Sequence, residues 1–322
     1  MVHYFVVNPI SLTNRQDFQQ FFVDIEDYLP EGSGSYRVYF SRRPRDAVAV
    51  VRSYVMKHSS EIVRVYAVGG DGILFDCLNG IIGLENAELA NIPYGSSNDF
   101  LRSFGPGVKE LFRDIQLQLL SPAIPTDVIS TGRAYALNHC TIGIESRAIA
   151  ALYGLSGHMS RSKFSKFISP AYSAMAIFSA LRDESRYQDY EVVSDGENLS
   201  DSYSAISIFN GGFYGDTFSP CPDACPSDGV LDVLLAKKLS LLQIVTKISD
   251  FVHGKYHKHP ESFSHKLTHS ITVKSERPLY VALDGEIFYE QSLDIKIIPN
   301  AIRFVSINGQ PYLSDGSYTA AR

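Results

Sequence analysis

Four short apolar runs, each cut off by a turn former, set the tightest limit on how the N-terminal part of this 322-residue chain can fold. Tyr4-Phe-Val-Val stops at Asn8-Pro9, and Tyr36-Arg-Val-Tyr-Phe stops at Ser41. Ile62 to Val68 runs into Gly69-Gly-Asp-Gly, and Leu89-Ala-Asn-Ile ends at Pro93. Runs of this length bounded by Gly, Pro and Asn read as buried strands. Between them lie segments with helical spacing. Phe18, Phe21, Phe22, Ile25 and Leu29 share one face of 13–29; Ala47, Val48, Val51 and Val55 do so in 45–57; an apolar stretch runs from Ile73 to Ile82. Alternating strands and helices predict a parallel sheet covered on both faces, because a parallel return needs a crossover.

After Pro125 the rhythm changes to short alternating segments at 126–130, 134–142, 187–194, 203–209, 230–236, 270–275, 279–283 and 293–298. Such spacing predicts an antiparallel β-sandwich, interrupted by helices at 166–182 and 240–253. The expected organisation is an α/β domain over 1–125, rejoined by the tail 300–322, and a β-sandwich domain over 126–299, with the active site in the cleft between them. A hydrophobic fraction of 45% and a charged fraction of 20% exclude a disordered chain. A net charge of −6 and a pI near 5.8 argue against a nucleic-acid partner. Four Cys in so long a chain suggest reduced thiols rather than a disulfide framework. The start shows no basic leader, and no run of ~18 apolar residues spans a bilayer; a cytoplasmic chain is expected.

Three segments offer chemistry. Glycines at a strand end let backbone N–H groups approach a phosphate, so Gly69-Gly-Asp-Gly before a helix reads as a phosphate loop, although a plain tight turn has the same sequence. Asp71 within it would serve a magnesium ion or a hydrogen-bond network. Pro93-Tyr-Gly-Ser-Ser-Asn-Asp-Phe also follows a strand, with Asn98 and Asp99 as capping candidates. Leu283-Asp-Gly-Glu places carboxylates two residues apart, as a hairpin turn or as a base for a hydroxyl proton. On an extended backbone Asp284 and Glu286 would point to one face.

In this order the segments resemble the diacylglycerol kinase catalytic family, the bacterial lipid kinases akin to sphingosine kinases. Asn8-Pro-Ile-Ser, Gly69-Gly-Asp-Gly with Asn79-Gly80, Pro93 to Arg102, Asp127, Asn138 to Glu145, Asn210-Gly-Gly-Phe and Ser227-Asp-Gly-Val-Leu-Asp carry the resemblance. It implies an ATP- and magnesium-dependent kinase acting on a hydroxyl of diacylglycerol or a related lipid. Asn8, Ser11, Ser41, Gly69, Gly70, Asp71, Gly72, Ser96 and Asn98 would line the nucleotide. Asp71, Asp99 and Asp127 would hold the catalytic magnesium, partly through water. Asp284, with Glu286 as partner, would be the base. A structural magnesium would sit on the Asp228 carboxylate with the carbonyls of Cys225 and Val230. The implied partner is a lipid at the inner face of the membrane, and a second copy of the chain is also admitted. The alternatives are a dinucleotide kinase of related fold and a non-catalytic sensor. The departures are Leu12 for Gly, Asp76 for Glu, Ser96 for Thr, and Ile73 for Thr; the last removes a hydroxyl donor worth about 1 kcal/mol.

Other features are read more plainly. Arg42, Arg43 and Arg45 are either a solvated helix start or contacts to phosphate or anionic lipid. Arg161, Lys163 and Lys166 form a solvated or membrane-facing patch. His253, His257, His259, His265 and His269 lack the completing ligands of a compact metal motif, and Cys221 and Cys225 are read as reduced structural thiols.

Overall fold

The computed structural model describes residues 1–12, 15–29, 36–95, 97–155, 187–215 and 217–313, with the side chains of 15–18 and 152–155 excepted. Ser96, the helix expected at 166–182 and the patch Arg161, Lys163 and Lys166 lie outside the described residues.

The chain opens with β1 (Val2–Val7), α1 (Arg15–Tyr28), β2 (Tyr36–Phe40), α2 (Asp46–Lys57), β3 (Val63–Gly69), α3 (Asp71–Ile81) and β4 (Ala87–Pro93). The strands pair in parallel in the order β2-β1-β3-β4. Every residue of β1, β3 and β4 is buried, as strands covered on both faces are, and the charged residues among them, Arg64 and Glu88, pair with each other at 2.8 Å. One core lies between the sheet and α2–α3, with Val51, Val55, Leu74, Leu78 and Leu89. The other lies on the opposite face, with Phe5, Phe21, Ile25 and Tyr66. The chain steps outward from β1 to β2 and then back across β1 to β3. The strand order therefore reverses between β1 and β3, and open α/β sheets bind ligands at such a switch point, beyond the carboxyl ends of the strands. Two short helices follow, α4 (Val108–Arg113) and α5 (Ile115–Leu120).

The second part comprises β5 (Ala123–Ser130), β6 (Tyr135–Ala136), β7 (His139–Gly143), α6 (Ile144–Leu155), β8 (Gln188–Ser194), β9 (Glu197–Asn198), β10 (Asp201–Phe209), β11 (Leu231–Lys237), α7 (Leu241–Val252), β12 (Phe263–Thr268), β13 (Ser270–Leu283) and β14 (Glu286–Val305). Its pairings are antiparallel. β10 pairs with β8 at one end and β7 at the other, and β13 does the same, so four strands enclose a core of Ile142, Val192, Ile206, Val273 and Val281. Register shifts at Tyr203/Ala205 and Lys274/Leu279 mark irregularities where each long strand passes from one partner to the next. α7 starts at a capping box in which Ser240 and Gln243 satisfy each other's backbone N–H.

Several elements differ from expectation. The segments 270–275 and 279–283 are one strand, and 293–298 is the middle of the 20-residue β14. β14 pairs with β13, then with β5, and meets β4 at Phe304, so hydrogen-bonded strands run without a break from β12 to β2. β12 has no counterpart among the expected strands, because Ser264, His265 and Lys266 break the apolar alternation. Beyond β14, Tyr312 packs against Phe100 and Phe104, and its hydroxyl shares a hydrogen bond of 2.7 Å with Thr126.

Candidate active site

Three loops meet at the switch point. Asn8 ends β1 with its N–H on the Val68 carbonyl, and Ser41 follows β2 with its N–H on the Val7 carbonyl. A side chain at Gly69 would come within 3.2 Å of the Asn8 Cβ and 3.1 Å of the Ser11 Oγ, so the first loop lies directly against the glycines. Ile73 fills the space beneath, its Cγ2 3.0 Å from that same point, and Leu12 is buried in the opposite core. Both departures from the family pattern are thus packing residues.

The third loop is tied to the second by hydrogen bonds. The Gly69 carbonyl accepts from the Tyr94 N–H at 3.1 Å, the Gly95 N–H at 3.0 Å and the Asn98 Nδ2 at 2.8 Å. Asn98 is fully buried in a left-handed conformation (φ 51°), and its Oδ1 has no hydrogen-bond partner among the described residues. Gly70 and Gly95 face each other so closely that a Cβ on Gly95 would fall 2.2 Å from the Gly70 Cα. Asp71, first residue of α3, crosses the gap: its carboxylate accepts from the Asn98 N–H at 3.0 Å and the Asp99 N–H at 2.9 Å. Asp99 in turn accepts from the Gly215 N–H at 2.8 Å, which links the loops to the second part of the chain.

The hairpin between β13 and β14 brings the remaining acids. Asp284 and Gly285 both have positive φ (46° and 81°), the type I′ geometry, so Asp284 and Glu286 do not share one face of an extended strand. Asp284 turns inward and accepts from the backbone N–H groups of Leu137 (2.8 Å), Asn138 (3.1 Å) and His139 (2.9 Å). Glu286 turns toward the glycine loop, its Oε1 3.8 Å from where a Gly72 side chain would begin, and pairs with Arg45 at 2.8 Å.

Burial raises the Asp71 carboxyl well above the usual range, and the neighbouring charges of Asp99 and Asp284 raise it further. Asp284 is pushed up to about 6 by burial, against the three N–H donors that hold it down. His139, its ring nitrogen 4.0 Å from Asp284, is held near 4 by burial and is neutral at pH 7.

Asp127, expected to act with Asp71 and Asp99, accepts at its carboxylate from the Gly229 and Asn300 N–H groups at 2.7 Å each, and its charge raises the Asp228 carboxyl. Arg45 stands at the start of α2 with its side chain 41% exposed, but it is also tied inward. Its left-handed backbone (φ 71°) gives its N–H and guanidinium to Asp76, and the guanidinium stacks over Phe75 at 4.1 Å. No sequence signal marked this Arg45–Asp76–Glu286 clamp.

At the proposed structural-ion loop, Asp228 accepts from the Val230 N–H, and the Cys225 carbonyl accepts from Ser227 and Asp228. Burial, then the charges of Asp232 and Asp127, raise Asp228. The five histidines scatter: His253 caps α7 on the Ser249 carbonyl, His257 lies edge-on to Tyr256, His259 meets Asp250, His265 meets Asp232 and His269 meets Asp195. Cys225 lies in the N-terminal core while Cys221 lies in the cluster beneath α7.

Residues 3–131 match the diacylglycerol kinase catalytic domain, and residues 159–306 match the YegS C-terminal NAD kinase beta sandwich-like domain. A Staphylococcus aureus protein named "Putative lipid kinase" is 25% identical over 256 residues, 78% of this chain and 79% of that one. A solved structure titled as a putative diacylglycerol kinase from Bacillus anthracis superposes with a TM-score of 0.70 at 23% identity, covering 94% of each chain. A second, titled as a diacylglycerol kinase of the same organism, gives 0.67 at 20% identity over 94% of this chain and 96% of that one. These two show the shared fold. Two family models in tandem, over the loops just described, place the chain: it belongs to the diacylglycerol kinase catalytic family, with an N-terminal catalytic domain and a C-terminal β-sandwich-like domain.

Proposed function

We propose that the protein transfers the terminal phosphoryl group of ATP to a hydroxyl of diacylglycerol or a closely related lipid, with magnesium. The observation that carries this reading is the gathering of Asp71, Asp99 and Asp284 within one another's fields beside the Gly69–Gly72 loop. Carboxylates that repel each other at neutral pH suit a divalent cation, and magnesium prefers such oxygen donors. Asp71 and Asp99 would hold it, and it would neutralise charge developing on the transferred phosphoryl group. Asn8, Ser11, Gly69, Gly70 and Gly72 would form the wall against which a triphosphate lies, with the Asn98 Oδ1, unpartnered among the described residues, at its base. A separate magnesium at Asp228 would relieve the like charges of Asp127 and Asp232 around that loop.

Asp284 suits the role of base better than Glu286. A carboxylate has about four acceptor sites, and three are taken by Leu137, Asn138 and His139, leaving one on Oδ2 for the acceptor hydroxyl. With a pKa near 6 it is mostly ionised at pH 7 yet basic enough to take a proton as the new oxygen–phosphorus bond forms and ADP departs. Glu286 is committed to Arg45, and it orients the hairpin tip over Gly72.

The deciding experiment supplies γ-labelled ATP and magnesium with a lipid extract or with dinucleotides. Label should enter a chloroform-soluble product. Asp284→Asn should lower turnover by about 10²–10⁴-fold with ATP binding little changed. Label entering only the dinucleotide would replace the lipid reading, and near-native turnover in Asp284→Asn would remove the base assignment.

A further inference from the structure

At the far edge of the second part, away from the glycine loops in the strand order, a thiol, a carboxylate and an imidazole converge. Cys221 comes from the loop between β10 and β11, Asp232 from β11 and His265 from β12; one ligand atom of each lies within 4.8 Å of the others. The strand register accounts for two of them. Asp232 pairs with Leu267 and Leu234 with His265, so Asp232 and His265 are diagonal neighbours on one face of the ladder. The loop delivers the third, because Gly212 lets it pass: a Cβ on Gly212 would fall 1.7 Å from the Cys221 carbonyl oxygen.

Cys221 and Asp232 are buried, while the His265 side chain is about a third exposed and opens the group to solvent. Asp232 Oδ1 lies 2.6 Å from His265 Nε2. The Cys221 thiol donates to the same carboxylate, which together with burial keeps it protonated. Asp223, two residues after Cys221, adds a second carboxylate in electrostatic reach of the thiol. The Tyr256 ring closes one side, edge-on to His265 at 5.7 Å.

We propose that Cys221, Asp232 and His265 form a zinc site, with Asp223 or water as fourth ligand, that staples the 219–225 loop to β11 and β12. One sulfur, one imidazole nitrogen and a carboxylate oxygen suit zinc, whereas magnesium and calcium take oxygen donors almost exclusively. Zinc–nitrogen and zinc–oxygen bonds of about 2 Å separate two tetrahedral ligands by roughly 3.3 Å. The His265–Asp232 pair therefore opens by less than an ångström from its 2.6 Å contact. His265 presents the Nε2 lone pair with its proton on Nδ1, and the thiol proton leaves to solvent as the thiolate–zinc bond forms. The ion reaches the active site through the chain: the same loop system carries Gly215, whose N–H holds Asp99. Zinc here supports structure, and the site is independent of the phosphoryl-transfer reading.

The test uses the full-length protein stripped of metal. Zinc competition against a chromophoric chelator should show one tight equivalent, and cobalt should give a thiolate-to-metal charge-transfer band, which an all-oxygen site cannot produce. Zinc should raise the melting temperature while magnesium does not displace it. Cys221→Ser should abolish the cobalt band. Since Cys221 is buried and its variant may not fold, His265→Gln, on a part-exposed edge strand, provides the second arm: it should melt close to the metal-free wild type and bind zinc at least about 100-fold more weakly. Absence of a thiolate–cobalt band in the wild type, or equal zinc affinity in wild type and His265→Gln, overturns the proposal.

Discussion

Single residues decide how closely the loops approach and what charge they carry. Gly95 is the tight point between the second and third loops, because any Cβ there overlaps the Gly70 backbone, whereas a Cβ on Gly70 would meet Gly95 at 3.3 Å, a contact that a small shift relieves. Gly95→Ala should therefore separate the second and third loops, cost on the order of 2 kcal/mol and weaken ATP binding, with Gly70→Ala clearly milder on both measures. Calorimetry with ATP and a denaturant melt of each variant check this, and equal effects would contradict the geometry. His139 makes a second prediction. Held near 4 in the folded chain and at about 6.5 when unfolded, it binds its proton first in the unfolded state between those values. That linkage makes stability fall as pH drops from 6.5 toward 4. His139→Gln removes it, so the stability gap between wild type and variant should narrow by about 2 kcal/mol from pH 7 to pH 5. Asp284, raised to about 6, acts with the opposite sign: its stabilising contribution is lost as pH rises through that value. A single wild-type pH curve would blur the two, and the difference between wild type and variant does not.

Elements explain which parts of the site were legible beforehand. Asp71 and Asp99 each follow a parallel strand, and Asp284 ends an antiparallel one, so short apolar runs with polar stops locate all three. Of the two readings of Asp284-Gly285, the geometry shows the hairpin turn, and that turn drives the Asp284 carboxylate inward. The backbone partners of Asp127, Gly229 and Asn300, lie 102 and 173 residues on, at distances no local pattern encodes. Nothing in Arg42-Arg-Pro-Arg marks Arg45 as a left-handed residue tied to Asp76 and Glu286. The Cys221 cluster depended on the β11–β12 register, and β12 itself was not recognised. One helix carries a prediction at this scale. α7 exposes Leu242 (73%), Val245 (65%) and Leu241 (40%), an apolar face that suits contact with a lipid surface, as the proposed substrate requires. Leu242→Glu with Val245→Glu should reduce co-sedimentation with anionic phospholipid vesicles several-fold while leaving the melting temperature near the wild-type value. Unchanged sedimentation would assign membrane contact to another face.

At the scale of the whole molecule, β14 governs how the two parts communicate. Its first residues hold Glu286 over the glycine loop, its middle pairs with β13 and β5, and its end reaches β4 beside the N-terminal core. A strand that crosses two hydrophobic cores joins them through backbone hydrogen bonds rather than through side-chain contact alone. The chain beyond it extends the link: Ile307 and Tyr312 belong to the same buried cluster as Leu89, Phe104 and Val128. The consequence is a single cooperative transition, in contrast to domains joined by a flexible linker, which unfold separately. Tyr312→Ala is a suitable probe, because it removes a ring packed at 4.5 Å and a tilt of 33° on Phe104 and the hydrogen bond to Thr126, both in the N-terminal core. Truncating a buried aromatic costs roughly 3 kcal/mol. If β14 couples the cores, hydrogen exchange should quicken together at β3, near the lesion, and at β11, on the far side of the molecule. If exchange quickens at β3 while β11 keeps its wild-type protection, the strand joins the two parts without coupling their stability.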